Sequence, residues 1–220
     1  MFLYGDTNPL TNLYVYNNIF LHTLAENGVD FVGPDTVRIY NNTFYGQNQG
    51  ANGGHVIFFD YTCEDVELKN NIFYGNFDSD DCAWCGRSVY IASQQNHQDI
   101  DADYNLHYQV DSRMNIVHEE NVGGYAMAQF TTMQSAWSWE ANSPTPADPL
   151  VTDGANNDVT LTSSSPAIGA GTPISFITTD YLGNARDATN PDIGAYEYVR
   201  DRLPLKSGSV FMKNNNKIMY

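Results

Sequence analysis

The sequence has few positive charges. Its 220 residues include 10 Lys and Arg against 26 Asp and Glu, which gives a formal net charge of −16 at pH 7. Nucleic acids and anionic membrane surfaces are both bound through basic protein surfaces. The composition therefore argues against both partners. The excess of acid favours solubility and also offers oxygen ligands for calcium.

Long apolar runs and a signal peptide are also missing. No run of about 18 apolar residues is present, so no membrane insertion is predicted. Residues 1–6 carry neither a basic region nor a long apolar core and do not form a signal peptide. The low Lys content and the many Asn and Tyr residues nevertheless resemble secreted bacterial surface proteins. We therefore expect an extracellular or cell-surface location.

Cysteine is scarce, with Cys63, Cys82 and Cys85 as its three positions. The spacing of Cys82 and Cys85 matches half of a zinc site, but no second pair and no His motif follows, which disfavours zinc. A local disulfide between these two, or a bridge from Cys63 to one of them, suits a secreted protein better. The sequence leaves the pairing open.

The chain does contain a repeat, most clearly at residues 37–46, which read VRIYNNTFYG. The same Asn recurs in four copies, at Asn18, Asn42, Asn71 and Asn105, with spacings of 24, 29 and 34 residues. A β-rich repeat of a few tens of residues is typical of a solenoid. The period grows while the motif holds, so we expect the additional residues to lie in loops.

Apolar and polar residues alternate in each copy, as in a strand with one buried face. A second alternating register precedes the Asn motif, and there we expect Val56 and Phe58 inward and Ile57 outward. The predicted fold is all-β, a right-handed parallel β-helix with a short C-terminal capping helix and loops. The Asn column is predicted to be structural, with amides bonded from coil to coil at a corner that tolerates left-handed backbone. The inward columns are Leu13, Val37, Val66, Ile100 and Val15, Ile39, Leu68, Ala102.

Three regions are predicted along the chain. Residues 1–108 form the coils, residues 109–199 form an irregular capping region on the solenoid, and residues 200–220 form a polar tail. Within the second region, helical spacing of apolar residues predicts a helix over residues 129–140. The first coil shows no cap, so we expect either a piece of a longer protein or an oligomer or other complex formed through that coil.

Short motifs in the second half add a resemblance to a known family. They resemble the C-terminal end of secreted bacterial right-handed β-helix repeat proteins in the pectate-lyase-like superfamily, over roughly residues 13–199. That superfamily includes polysaccharide lyases, glycosidases and proteins with no known activity, so the resemblance is specific for architecture only. We interpret the acidic residues around Arg186 as a structural pin for the last loop. The motifs are Asp103-Tyr104-Asn105-Leu106, Trp139, Asp148-Pro149-Leu150, residues 165–171, Asp180 with Gly183 and Arg186, and residues 192–198.

Three groups of residues are candidates for a site. Outward charges could act as acid, base or charge-neutralising groups in a lyase or glycosidase. Outward aromatics could stack on sugar rings. One acidic stretch alternates as in calcium loops but has Arg87 where a closing Glu is needed. In the same order, the residues are Arg38, Glu67, Lys69, Asp101 and Asp103; Tyr14, Tyr16 and Tyr40; and Asn76, Asp78 and Asp80.

Each group also has a structural interpretation: a solvated outer face, the strand preference of Tyr, and an acidic loop. We expect an extracellular β-helix module that associates with polysaccharide and is not catalytic alone, with calcium as the one cofactor left open. The alternatives are a polysaccharide lyase or glycoside hydrolase using the outer acidic face, and a purely structural or adhesive solenoid. In the related families the chemistry usually lies on middle coils, whereas this chain resembles the last coils.

Overall fold

The computed structural model describes residues 2–4, 11–21, 28–47, 55–75, 87–111 and 115–199. In these ranges the chain is mostly β. The strands of the repeat region are β1 (Phe2–Tyr4), β2 (Leu13–Tyr16), β3 (Ile19–Leu21), β4 (Val29–Val32), β5 (Thr36–Tyr40), β6 (Thr43–Gln47), β7 (Ile57–Tyr61), β8 (Asp65–Lys69), β9 (Ile72–Gly75), β10 (Val89–Ile91), β11 (Ile100–Asp103) and β12 (Leu106–Gln109). Further along follow β13 (Asn115–Glu119), β14 (Gly123–Ala126), helix α1 (Phe130–Trp137), β15 (Val151–Asp153) and β16 (Asp158–Leu161).

The repeat strands form three sheets that each take one strand from every pass of the chain. Sheet A has the order β1-β4-β7-β10-β13-β14, sheet B has β2-β5-β8-β11, and sheet C has β3-β6-β9-β12. Neighbouring strands are parallel throughout, except β13 and β14, which are antiparallel. Parallel sheets stacked in this order are compatible with a parallel β-helix.

The predicted inward columns of sheet B are confirmed. Val37 pairs with Leu13 on one side and Val66 on the other, and Ile100 pairs with Val66. Their apolar side chains lie in one buried cluster with those of sheet A. In sheet C the rings of Phe20, Phe44, Phe73 and His107 stack at centroid distances of 4.6, 5.3 and 5.0 Å. Each buried apolar side chain of this size contributes about 1.5–3 kcal/mol to folding.

The predicted register of sheet A is wrong by one residue at β7. Ile57 pairs with Val29 and Val89, so Ile57 and Phe59 point inward and are fully buried, whereas Phe58 points outward. Residues 56–59 are all apolar, and Val56 is itself buried just before the strand. Alternation therefore gave no signal there, and a slip of one residue exchanges the two faces.

The Asn column forms the predicted hydrogen-bonded ladder. In each step the main-chain N–H and the side-chain Nδ2 of one Asn donate to the Oδ1 of the next, at 2.9–3.1 Å from Asn18 to Asn42, 3.0 Å from Asn42 to Asn71, and 2.9 and 3.0 Å from Asn71 to Asn105. Asn105 Nδ2 then donates to the buried carboxylate of Glu140 at 3.0 Å. The ladder therefore ends at a carboxyl group whose oxygens accept the last amide hydrogen bonds.

The left-handed corner residue is the one before each ladder Asn, not the ladder Asn itself. Asn17, Asn41, Asn70 and Tyr104 have φ between 52° and 59°. Asn tolerates this region better than most residues. The first Asn of each pair therefore makes the turn, while the second makes the ladder.

The predicted short helix is present as α1, although it ends at Trp137 and not at residue 140. Phe130, Met133 and Trp137 of α1 are buried against the core cluster. Sheet A also continues past residue 108, where the sequence repeat ends, because β13 pairs with β10. β13 lacks the Asn motif, so the repeat gave no sign of it.

Residues 171–198, which we call the closing segment, run along the left-handed corner residues. Asn70 Nδ2 donates to the Thr172 carbonyl at 2.7 Å, and Asn17 Nδ2 donates to the Thr179 carbonyl at 2.8 Å. Arg186 donates to Asn17 Oδ1 at 2.8 Å and contacts Glu197 at 3.4 Å with one nitrogen only. We expected Arg186 to hold the last loop against the cap through a bidentate pair with a carboxylate. Instead it donates to Asn17 and to the carbonyls of Asp192 and Gly194. No helix in the described ranges is long and apolar enough to cross a membrane.

Candidate functional site

The outer face of sheet B carries a chain of ion pairs built from four of the five predicted catalytic candidates. Arg38 contacts Asp65 at 2.5 Å and Glu67 at 3.3 Å. Lys69 contacts Glu67 at 3.1 Å and Asp101 at 2.6 Å. The register places Arg38 directly opposite Glu67, a cross-strand pair of opposite charge. Glu67 in turn lies opposite Asp101, and Lys69 offsets the repulsion of these two carboxylates by contacting both.

These charges are neutralised by one another. Burial alone would raise the pKa of Glu67, but hydrogen bonds from Tyr40 and Lys69, with the charges of Lys69 and Arg38, lower it overall. Burial would lower the pKa of Lys69, but Asp101 and Glu67 raise it. Glu67 is therefore an ionised carboxylate and Lys69 a protonated amine at neutral pH. Glu67 is therefore not suited to act as a general acid, and Lys69 is not suited to act as a general base.

The fifth candidate, Asp103, lies apart from this chain of ion pairs. Its carboxylate accepts hydrogen bonds from the main-chain N–H and the Nδ2 of Asn142, at 2.8 and 2.7 Å, and from the Tyr104 N–H at 2.9 Å. Asp103 thus holds the turn after α1 against the stack. Its position indicates a structural role.

The predicted outward aromatic residues are separated by the structure. Tyr14 and Tyr16 are 47 % and 43 % exposed, but Tyr40 is buried and its hydroxyl donates to Glu67 Oε2 at 2.8 Å. Tyr40 is therefore not available to a ligand, contrary to expectation. The physical reason is Phe176 of the closing segment, whose ring lies 6.1 Å from that of Tyr40.

Phe176 also completes an aromatic surface that the sequence did not show. Its ring meets Tyr14 at 5.5 Å and Tyr16 at 5.7 Å, in both cases nearly perpendicular, and it is 51 % exposed. We call Tyr14, Tyr16 and Phe176 the aromatic platform. Phe176 lies outside the repeat, so the alternation of the strands does not mark it. Its one sequence signal is an aromatic residue within a stretch rich in Ser and Thr.

Sheet C carries a column of outward tyrosines that is partly covered. Tyr45, Tyr74 and Tyr108 lie at successive ring distances of 4.2 and 5.4 Å. A Cβ on Gly154 would lie 2.1 Å from the Tyr45 hydroxyl, so the main chain at Gly154 passes directly over this ring. The segment around Gly154 therefore covers Tyr45.

The outer face of sheet A carries a cluster of rings around Tyr90. Phe58 and His118 flank Tyr90 at 5.3 and 5.5 Å, and His55 stacks on it at 4.3 Å. The Arg87 guanidinium lies 5.1 Å from the Tyr90 ring centre. Sequence reasoning missed this cluster because the predicted register of β7 placed Phe58 inward, away from Tyr90.

Both imidazoles of this cluster are neutral near pH 7. Burial, then the charge of Arg87, then His118, lower the pKa of His55 to about 3. Burial and Arg87 lower the pKa of His118 to about 4, although Glu120 opposes this. Each ring therefore offers one N–H donor and one acceptor nitrogen.

The remaining predicted ligands lie mostly outside the described residues. These are the calcium candidates Asn76, Asp78 and Asp80, and the cysteines Cys82 and Cys85. Cys63 is described: its thiol is free and buried, and burial raises its pKa to about 12. The alternative of a bridge from Cys63 is therefore not present in the structure. In the described part of the chain, His, Cys, Asp and Glu form no group of three that could hold a metal ion.

Comparison with known proteins gives no relative. No protein-family model matches the chain, and no curated protein matches its sequence. The geometry of the outer faces is therefore the basis for the functional interpretation that follows.

Proposed function

We propose that the chain forms coils and the closing segment of a right-handed parallel β-helix that binds extracellular polysaccharide through the aromatic platform and is not catalytic alone. The β-helix half is supported by three parallel sheets that share strand order and register. It is also supported by the corner ladder, which brings the same residue of each coil into contact, as stacked coils require. The pectate-lyase-like resemblance of the closing motifs agrees with both.

The observation that carries the binding half is the aromatic platform. Tyr14 and Tyr16 lie two residues apart on β2, so their side chains share one face and stand about 6.8 Å apart along the strand. Phe176 holds both rings by edge contacts, each worth about 0.5–1.5 kcal/mol. Three contacting rings that are each about half exposed form a rigid apolar surface against which sugar C–H groups can pack.

The absence of catalysis is supported by the ion pairs of sheet B. Arg38, Glu67, Lys69 and Asp101 each have an oppositely charged partner within 3.3 Å. A group that supplies or removes a proton needs a pKa near the working pH, whereas the pKa of Glu67 is lowered and that of Lys69 is raised. This face therefore serves stability better than chemistry.

Binding is tested by retention on insoluble polysaccharides, both neutral and acidic, using the full chain. We expect Tyr14→Ala, Tyr16→Ala and Phe176→Ala each to weaken retention by about two- to tenfold, the equivalent of the aromatic contact energy above. Tyr181→Ala is the matched control, because Tyr181 is 55 % exposed but contacts Tyr196 instead of the platform. Equal losses in all four variants, or no loss in the first three, would reject the platform as the binding surface.

Catalysis is tested on the same polysaccharides by following reducing ends and the ultraviolet absorbance of unsaturated sugar products. We expect neither to rise above background. Product formation that disappears in Lys69→Ala or Asp101→Ala would contradict the proposal and would establish the lyase or hydrolase alternative on sheet B.

A further inference from the structure

The aromatic platform borders the chain of ion pairs on the outer face of sheet B. The register places Tyr14 directly opposite Arg38, on strands about 4.8 Å apart. Tyr16 lies opposite Tyr40 in the same way, but Phe176 packs against Tyr40 and covers that side. A sugar chain that lies on the platform and is long enough to cross the sheet therefore continues over Arg38 and the strands beyond it.

These strands present an excess of acid. The outward side chains of β5, β8 and β11 include two bases and four acids, which leaves a formal excess of two negative charges. They are Arg38 and Lys69, and Asp65, Glu67, Asp101 and Asp103. The side chains of Asp65 and Asp101 are 59 % and 62 % exposed, whereas those of Arg38 and Lys69 are 15 % and 21 % exposed. A ligand on this face therefore meets carboxylates before it meets bases.

Such a face favours hydroxyl groups over carboxylates as ligands. An ionised carboxylate of the protein accepts hydrogen bonds, which a sugar hydroxyl can donate and an ionised sugar carboxylate cannot. The two bases that could bind a sugar carboxylate, Arg38 and Lys69, are each in contact with two protein carboxylates. A uronate sugar would have to displace these ion pairs while facing charges of its own sign.

We infer that the aromatic platform and the adjoining face of sheet B bind a neutral, hydroxyl-rich polysaccharide and reject polysaccharides whose sugars carry carboxylates. The inference names the ligand class of the proposed binding function and rests on it. The rings of the platform pack against the C–H surface of the sugars. The exposed carboxylates of Asp65 and Asp101 accept hydrogen bonds from the sugar hydroxyls.

The test compares the same polysaccharide with and without carboxylates. Cellulose, mannan and curdlan are each used beside a sample whose primary hydroxyls have been partly oxidised to carboxylates. Retention of the full chain is measured at about 0.01 M and about 1 M salt, where the Debye length is about 30 Å and about 3 Å. We expect retention on at least one neutral polysaccharide, about tenfold weaker retention on its oxidised form at low salt, and a smaller difference at high salt.

A double variant, Asp65→Asn with Asp101→Asn, tests whether this face causes the discrimination. Both side chains are exposed, and Arg38 and Lys69 keep Glu67 as a partner, so the fold should be retained. We expect the difference between the neutral and oxidised forms at low salt to fall from about tenfold to about threefold or less, because the formal charge excess is removed.

Glu120→Gln with Asp153→Asn is the matched control. It removes as many charges from exposed positions away from sheet B and should leave the discrimination at about tenfold. Equal or tighter retention on the oxidised form at low salt would overturn the inference and leave the proposed function standing. Discrimination that the changes at Asp65 and Asp101 leave unaltered would overturn it as well. Retention on none of the polysaccharides would reject the proposed function itself, and the inference with it.

Discussion

Replacing Asn71 by Ala should destabilise the protein far more than the same change at the end of the ladder. The Asn71 side chain takes part in five hydrogen bonds. Its Oδ1 accepts from the N–H and Nδ2 of Asn42, both at 3.0 Å, and its Nδ2 donates to Ile39 O, Lys69 O and Asn105 Oδ1 at 2.8, 3.1 and 3.0 Å. The residue is fully buried, so water does not replace what is lost.

The magnitude follows from these bonds. A lost hydrogen bond costs about 0.5–1.5 kcal/mol, and a buried group left without a partner costs about 1–3 kcal/mol. Asn71→Ala should therefore lower the free energy of unfolding by about 3–6 kcal/mol, a large share of the roughly 5–15 kcal/mol that is typical of a domain. The Asn18 side chain donates two hydrogen bonds in a half-exposed position. Asn18→Ala should cost only about 0.5–1.5 kcal/mol.

The assay is unfolding in guanidinium chloride, followed by far-UV circular dichroism and by tryptophan fluorescence, to which Trp84, Trp137 and Trp139 contribute. Agreement between the two probes establishes two-state behaviour, which the comparison requires. Asn156→Ala is the control, since Asn156 is exposed and its side chain donates to the neighbouring Asp153 carboxylate. Equal losses at Asn71 and Asn18, or a loss below about 1 kcal/mol at Asn71, would refute the ladder as a major source of stability.

Three further predictions concern other positions. Gly194→Ala should lower the free energy of unfolding more than Gly183→Ala. Both residues have positive φ, but only a Cβ on Gly194 meets the Ile72 side chain, at 2.6 Å. We expect losses of about 3 and about 1 kcal/mol, respectively, in the same unfolding assay, and similar losses would contradict the packing. The pKa of His55 is lowered from 6.5 to about 3 in the fold, so its imidazole is neutral there. As the pH drops below about 6.5, the unfolded chain takes up a proton at this residue before the folded chain does. The free energy of unfolding therefore falls with pH, by up to about 1.4 kcal/mol per pH unit. His55→Gln should flatten this slope by about one proton, and an unchanged slope would show that His55 is already protonated in the fold. Cys63, buried with a raised pKa, should resist alkylation at pH 8 in the native state and react after unfolding; rapid native labelling found by mass spectrometry would contradict its burial.

The parts of the fold that sequence reasoning predicted are those fixed by local pattern. Alternation in each copy gave the inward columns of sheet B, and the recurring Asn gave the ladder. Helical spacing of Phe130, Met133 and Trp137 gave the short helix α1. In each case the stack repeats one local arrangement, so every copy supplies the same evidence.

The parts that were wrong or missed depend on context that no local pattern contains. The apolar run at residues 56–59 fits two registers, and only pairing with β4 and β10 decides between them. β13 joins sheet A, but no copy of the Asn motif follows it. Both errors arise where the periodic signal is lost and tertiary contacts decide.

The candidate sites show the same division. The outward charges were placed correctly on one face, but only the register between strands shows that Lys69 lies between Glu67 and Asp101. Phe176 reaches Tyr14 from a segment more than 150 residues later in the chain. Long-range contacts of this kind are beyond the reach of a single sequence.

The central claim is that successive coils place the ladder residues directly against one another. Through-hydrogen-bond NMR couplings in the deuterated, isotope-labelled protein measure this directly, because they connect a donor nitrogen to the carbon of its acceptor. We predict couplings from the main-chain nitrogens of Asn18, Asn42 and Asn71 to the side-chain carbonyl carbons of Asn42, Asn71 and Asn105, respectively. Couplings from these nitrogens to any other acceptor would show that the coils do not stack in this register.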